Sequence, residues 1–127
     1  MYFSDTKDFK IAVVPQYQED ISSRHNSNWN YSVYIENNSK FIAQLVSKYW
    51  RITYADGTTH EILNNVTSEE RQIIEPGTVL EFKNNANFKT NSAIIEGHYV
   101  MASKTGEFEI KIPTFSLDNP YHTISIN

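Results

Sequence analysis

An antiparallel all-β sandwich is the fold this sequence predicts, and three observations predict it. Residue types that suit a pleated, half-buried surface dominate: Ile occurs 14 times, Thr 10, Tyr 8, Val 7 and Phe 7, against 6 Ala and 4 Leu in 127 residues, so helix formers are scarce. Side chains alternate where the pattern is clearest, with Trp29, Tyr31, Val33 and Ile35 on one face and Asn30, Ser32, Tyr34 and Glu36 on the other, the signature of a half-buried strand. Turn residues recur between short apolar runs, with no helical stretch between them, which favours a sandwich over alternating strand and helix units.

Besides the strand around Trp29 to Ile35, the same reasoning places strands at Phe9 to Tyr17, Ile42 to Tyr54, Thr58 to Leu63, Gln72 to Glu75, Val79 to Lys83, Ala93 to Ala102 and Glu107 to Thr114, about eight in all. Between them fall Asn37-Asn38-Ser39, Asp56-Gly57, Pro76-Gly77, Asn84-Asn85 and Thr105-Gly106, residues that tolerate positive φ or preset a turn. Asp56-Gly57, between Ile52-Thr53-Tyr54 and Thr58-Thr59-His60, is the strongest hairpin signal. Thr67-Ser68-Glu69-Glu70 fits a capping box, so at most one short helical turn is expected there, ended by Pro76, and the acidic pair reads as a solvated loop rather than a site. Trp50 falls in the third predicted strand, where immunoglobulin-like sandwiches place a core Trp. The Cys pair that would flank it is absent, which favours a fibronectin type III-like variant.

Length and charge set the partners. A chain of 127 residues is read as a single domain, residues 1–127, of a size that buries roughly two thirds of its unfolded surface. The absence of Cys removes disulfides and thiolate chemistry. A net charge of −4 without a basic stripe argues against nucleic acid, whose phosphate backbone is bound mainly by Lys and Arg. The longest aliphatic run, Ile11-Ala12-Val13-Val14, is far short of the roughly 18 apolar residues that span a bilayer. The segment Met1 to Asp8 carries two acids where a signal peptide has a basic region, and the chain is read as cytoplasmic. The triplets at Asn30, Asn37 and Asn65 match the glycosylation pattern but carry no meaning without secretion.

Catalytic and metal-binding patterns are sparse. Of the four histidines, His25, His60, His98 and His122, none is spaced as a local metal pair; after His60-Glu61 the second His of an H-E-x-x-H motif would fall on Asn64. A site assembled from distant strands stays open, as does a carboxylate pair formed across strands. No Gly-rich loop exists to cradle a phosphate, since Gly77 is the next glycine after Gly57. No Gly-x-Ser-x-Gly elbow marks a nucleophilic serine. Gly97 interrupts a good strand, which predicts a bulge or a close backbone approach. His98 and Tyr99 follow it on opposite faces, so one is expected in the core and the other at the surface.

Four stretches taken together resemble the ApaG family in order and spacing: Gln44-Leu45-Val46-Ser47-Lys48-Tyr49-Trp50-Arg51-Ile52-Thr53, Ile74-Glu75-Pro76-Gly77, Glu96-Gly97-His98-Tyr99-Val100-Met101 and Ile112-Pro113-Thr114-Phe115-Ser116-Leu117. The resemblance covers about Lys10 to Pro120. It implies a small bacterial sandwich of fibronectin type III-like topology, a domain that also occurs beside F-box and other interaction modules in eukaryotes. It therefore implies a binding module, with Tyr49, Trp50, Pro76, Gly77, Gly97 and Pro113 as structural signature residues and His98 and Tyr99 as matched positions without a catalytic role. Bacterial members carry the label of cobalt/magnesium efflux proteins, which implies an indirect role through a partner for a chain without a membrane span. Many members also carry a Gly-x-Gly-x-x-Gly-like stretch after the Tyr-Trp strand. Here that region, Thr58 to Val66, has no glycine, which counts against pyrophosphate binding.

Two functions follow as expectations. The first is a non-enzymatic protein-interaction module, with no cofactor, an unnamed protein partner and an indirect link to cobalt/magnesium homeostasis. The second is a sensor for a divalent metal or an anion, held by His60, His98 and nearby carboxylates; His60, His98 and Tyr99 are the candidate site residues. Open sandwich edges must be paired or protected, so a homodimer through an edge or a sheet face is also expected.

Overall fold

Alternating β-branched and aromatic residues build nine strands and no helix in the computed structural model, which describes residues 1–18, 27–67 and 71–120. They are β1 (Tyr2–Thr6), β2 (Phe9–Tyr17), β3 (Ser27–Asn37), β4 (Ala43–Tyr54), β5 (Thr59–Asn65), β6 (Ile73–Ile74), β7 (Val79–Phe88), β8 (Ser92–Ser103) and β9 (Gly106–Asp118). One sheet runs β1-β2-β3-β7 and the other β5-β4-β8-β9, with β6 pairing the start of β4. Every pairing is antiparallel. Lettered as in immunoglobulin domains, β2-β3-β7 are A-B-E and β4-β8-β9 are C-F-G. The strand after C pairs with C, the fibronectin type III-like arrangement.

The structure adds β1 to the predicted strands and moves one turn. β1 folds back on β2 through the two-residue loop Lys7-Asp8, whose φ angles are both positive at 49° and 66°. Such loops normally use Asn or Gly, so the sequence gives no hairpin signal there. Asn84-Asn85 is not a turn: β7 continues through it, because pairing with β3 extends as far as Ser27↔Phe88 and brings Ala86 and Phe88 onto the core. Likewise β9 runs on past Thr114. Of the capping-box segment, Ser68 to Glu70 lie outside the described residues, as do His25 and His122.

Facing strands fill the interior with Phe9, Ile11, Val13, Val33 and Ile35 from one sheet and Leu45, Ile95, Met101, Ile110, Ile112 and Leu117 from the other. Trp50 stands between them, edge-on to Tyr99 at 5.8 Å and to Tyr31 at 5.9 Å between ring centroids; Tyr31 in turn touches Phe115 at 5.6 Å. Such tilted pairs add roughly 0.5–1.5 kcal/mol each beyond their buried area. Gly97 is the cross-strand partner of Trp50. A Cβ at position 97 would run into the Tyr49 carbonyl oxygen and lie 3.2 Å from the Trp50 Cα, which is the close backbone approach expected of this glycine.

Two irregularities decide which side chains face out. Val46 is an extra residue of β4 between the pairs Leu45↔Met101 and Ser47↔Val100. Before it Ala43 and Leu45 point inward, and after it Trp50, Ile52 and Tyr54 do. In β9, Pro113 and Thr114 stand together opposite Glu96, between the pairs Gly97↔Ile112 and Ile95↔Phe115. A bulge is one of the few places where a sheet accepts proline, which has no N–H to give the ladder.

One end of the sandwich is tied by a buried amide. Asn37, fully buried, donates through Nδ2 to the Phe41 and Ile74 carbonyls at 2.8 and 2.9 Å. Its Oδ1 accepts from the Ser39 N–H at 2.9 Å and the Ser39 hydroxyl at 2.6 Å. Next to it, Pro76-Gly77 forms a turn with Gly77 at φ 79° and the Thr78 N–H donating to the Glu75 carbonyl at 3.1 Å, the geometry that calls for Gly at its third position. The Gly77 N–H donates to the Asn37 carbonyl at 2.7 Å, so both turns share one anchor.

Gly97→Ala is expected to lower stability by about 3 kcal/mol, the upper range for overpacking, because the obstacle is backbone and cannot rotate away. Urea unfolding should show a lower midpoint at an unchanged slope.

Candidate functional site

Pairing across four strands lays the outer face of the β5-β4-β8-β9 sheet out in rows. Leu63, Tyr49, His98 and Lys111 are successive cross-strand partners, and so are Glu61, Arg51 and Glu96. The Tyr49 and His98 rings stack at 5.1 Å and 29°. His98 Nε2 lies 3.6 Å from Glu109 Oε1, and Arg51 lies 3.9 Å from Glu96. The Tyr49 hydroxyl is held above the usual phenol range, first by desolvation and then by the nearby Glu61 carboxylate. Thr6 of β1 joins this set at the rim of a shallow depression that also includes Glu109 and Lys111.

The rim is closed by side chains rather than a ladder. The Ser4 hydroxyl donates to the Lys111 carbonyl, and the Lys111 N–H donates to Thr6 Oγ1 at 3.3 Å. The Arg51–Glu96 pair and the His98–Glu109 contact are both substantially open to solvent, so each contributes at most about 1 kcal/mol to stability. They organise a surface more than they hold the fold together.

The sequence candidates do not converge. His98 is on the outer face, and Tyr99, 1% exposed, is inside the core. His60 sits on β5 opposite Ile52, which faces inward, so the ladder places His60 and His98 on opposite sides of the sheet. Among the described residues no group of three or more His, Asp or Glu side chains is placed to hold a metal ion. Trp50, Gly97 and Pro113 serve packing and bulge geometry, and Pro76 and Gly77 form a turn. Arg51, Glu61, Glu96, Glu109 and Lys111 escaped sequence reading, because their neighbours depend on register. A period of two from Tyr49 reaches Arg51, but pairing Arg51 with Glu96 requires the offset that the Val46 bulge sets.

On the inner face of the same sheet, Lys48 points away from Tyr49. Its Nζ lies 3.9 Å from the centroid of the Phe82 ring, and burial lowers its pKa. This amine sits over an aromatic face at the gap between β4 and β7, bridging the two sheets.

These features define an immunoglobulin-like β-sandwich of the fibronectin type III type whose outer sheet face carries a paired, aromatic-centred polar surface. The chain belongs to the ApaG domain family, whose description matches residues 17–103. Protein ApaG of Brucella suis is 35% identical over 131 residues, covering 100% of both chains. Among solved structures, the structural-genomics target SoR45 superimposes with a TM-score of 0.79 at 27% identity, covering 93% of this chain and 92% of that one. A Bordetella pertussis protein described as ApaA gives 0.79 at 25% identity, covering 89% and 94%. No helix among the described residues is long and apolar enough to cross a membrane.

The buried phenols behind this face make stability depend on alkaline pH. Burial pushes Tyr31 up to about 12, and burial together with Tyr31 pushes Tyr99 up as well. An unfolded Tyr loses its proton near pH 10, so above that value the unfolded state binds fewer protons and stability falls as pH rises. The contribution of Tyr31 is complete below pH 10 and is lost by about pH 12. Urea midpoints measured across this range should decline for the native chain and decline less for Tyr31→Phe.

Proposed function

We propose that this protein is a non-enzymatic interaction module that presents the outer face of its β5-β4-β8-β9 sheet to a protein partner, and that it works in the cytoplasm as a homodimer. The observation that carries this reading is the Tyr49–His98 stack set between the Arg51–Glu96 and His98–Glu109 pairs. Aromatic and Arg side chains are enriched at the energetic centres of protein interfaces. Exposed opposite charges in fixed rows give a surface that selects its partner by charge complementarity. Membership of the ApaG domain family supports the same class of role. Any bearing on cobalt or magnesium handling then runs through the partner, since His60 and His98 face opposite sides of the sheet.

Two measurements test this. Tyr49→Ala and Arg51→Glu should each weaken capture of the partner from cell extract at least tenfold while shifting the thermal midpoint little, because both side chains lie on the outer face. Equal capture by both variants and the native chain would sink the assignment of this face. In a thermal-shift titration, cobalt, magnesium and pyrophosphate should leave the midpoint in place. A ligand bound only by the folded state adds about 2.7 kcal/mol at a hundredfold excess over Kd, so a saturable shift would restore the sensor reading.

A further inference from the structure

Among the described residues no strand pairs the outer edge of β5, and that edge is built to pair with itself. The Tyr54 N–H donates to the Thr58 carbonyl at 2.8 Å and the Val66 N–H to the Val46 carbonyl at 2.9 Å, and between these points β5 pairs β4 in one unbroken register, Thr59↔Thr53 to Asn65↔Ser47. In an antiparallel ladder, hydrogen-bonded and non-hydrogen-bonded pairs alternate. His60, Ile62 and Asn64 therefore turn their backbone groups toward β4. Thr59, Glu61, Leu63 and Asn65 turn theirs outward, where the sheet of described residues ends.

Edge strands usually carry a deterrent: a Lys, a proline, a bulge or a covering segment. The edge of β7 carries Glu81 and Lys83, and β1 and β9 are bridged through Ser4, Thr6 and Lys111. β5 has no Lys, no proline and no bulge, and all seven of its residues are exposed, Ile62 by 41% and Leu63 by 65%.

We propose that two copies of this chain join through antiparallel β5 edges about a twofold axis at Ile62. This deepens the self-association proposed above by naming its edge and register. With the axis at Ile62, Thr59 meets Asn65 of the second copy and Glu61 meets Leu63. Every outward N–H and C=O between Thr59 and Asn65 then finds a partner. Glu61, the strand's one carboxylate, falls opposite an apolar side chain rather than its own copy. Ile62 meets Ile62 in a non-hydrogen-bonded pair, the closer of the two spacings, and His60 meets Asn64. The result is one continuous sheet that runs β9-β8-β4-β5 into β5-β4-β8-β9 of the second copy, with both Tyr49–His98 faces on the same side. A symmetric or repeated partner then engages both at once and gains avidity from the second contact.

Light scattering across a concentration series is the test. The native chain should reach twice its 14.7 kDa mass. Ile62→Lys sets like charges face to face at the axis and should return the mass to 14.7 kDa, as should Ile62→Glu, whereas an equimolar mixture of the two should recover the doubled mass. Leu63→Pro removes only an outward N–H and should also give a monomer, with a melting temperature near that of the native chain. A mass of 14.7 kDa at every concentration of the native chain would overturn self-association altogether. A doubled mass that survives Ile62→Lys and Leu63→Pro would overturn this edge while leaving a dimer through another surface.

Discussion

Trp50 can occupy the space between the sheets only because its cross-strand partner has no side chain. The indole makes edge-on contacts with Tyr99 and Tyr31, and through Tyr31 it reaches Phe115, which also touches Tyr2 of the outermost strand. This aromatic chain crosses the whole sandwich. Removing a buried Trp typically costs about 3–5 kcal/mol, a large fraction of the roughly 5–15 kcal/mol that holds a domain folded. Gly97 bears none of that energy itself, yet any side chain there collides with the β4 backbone and pushes apart the strands that seat the ring.

Local patterning made the architecture legible, and local patterning is also where legibility stopped. Period-two alternation in β3 and the Asp56-Gly57 hairpin could be read directly, since both depend on neighbours in sequence. β1 could not: a five-residue strand ending in Lys7-Asp8 at positive φ has no conventional turn residue to announce it. Asn84-Asn85 misled in the opposite direction, because pairing with β3 overrode the turn preference of two asparagines. Of the candidate site, Tyr49 and His98 were legible as residues and their stacking was not. The bulge at Val46 inverts the in-and-out order of β4, and every outer-face partnership downstream of it follows from that one inserted residue.

The conspicuous Tyr49-Trp50 dipeptide serves two purposes, and the bulge decides which residue takes which. Adjacent residues in a strand point to opposite faces, so Trp50 packs the core while Tyr49 joins His98 outside. His98-Tyr99 repeats the arrangement one strand over, with Tyr99 beneath the sheet and His98 above it. Core and surface are thus set by neighbouring residues on two paired strands, and a shift of register by one residue would exchange them.

The Asn37 anchor bears on how the chain reaches this structure. Ser39 and Phe41 satisfy its amide locally, but the amide also joins the end of β3 to β6, 37 positions further on, and its carbonyl receives the N–H of Gly77, so the full set of bonds is complete only when segments far apart in the chain have met. Contacts of high sequence separation slow folding, because loop closure is opposed by entropy before any contact rewards it. Until that closure an amide destined for complete burial stays hydrated. Docking of β6 onto β4 is therefore expected late in assembly, so that substitutions at Asn37 should change the rate of unfolding more than the rate of folding.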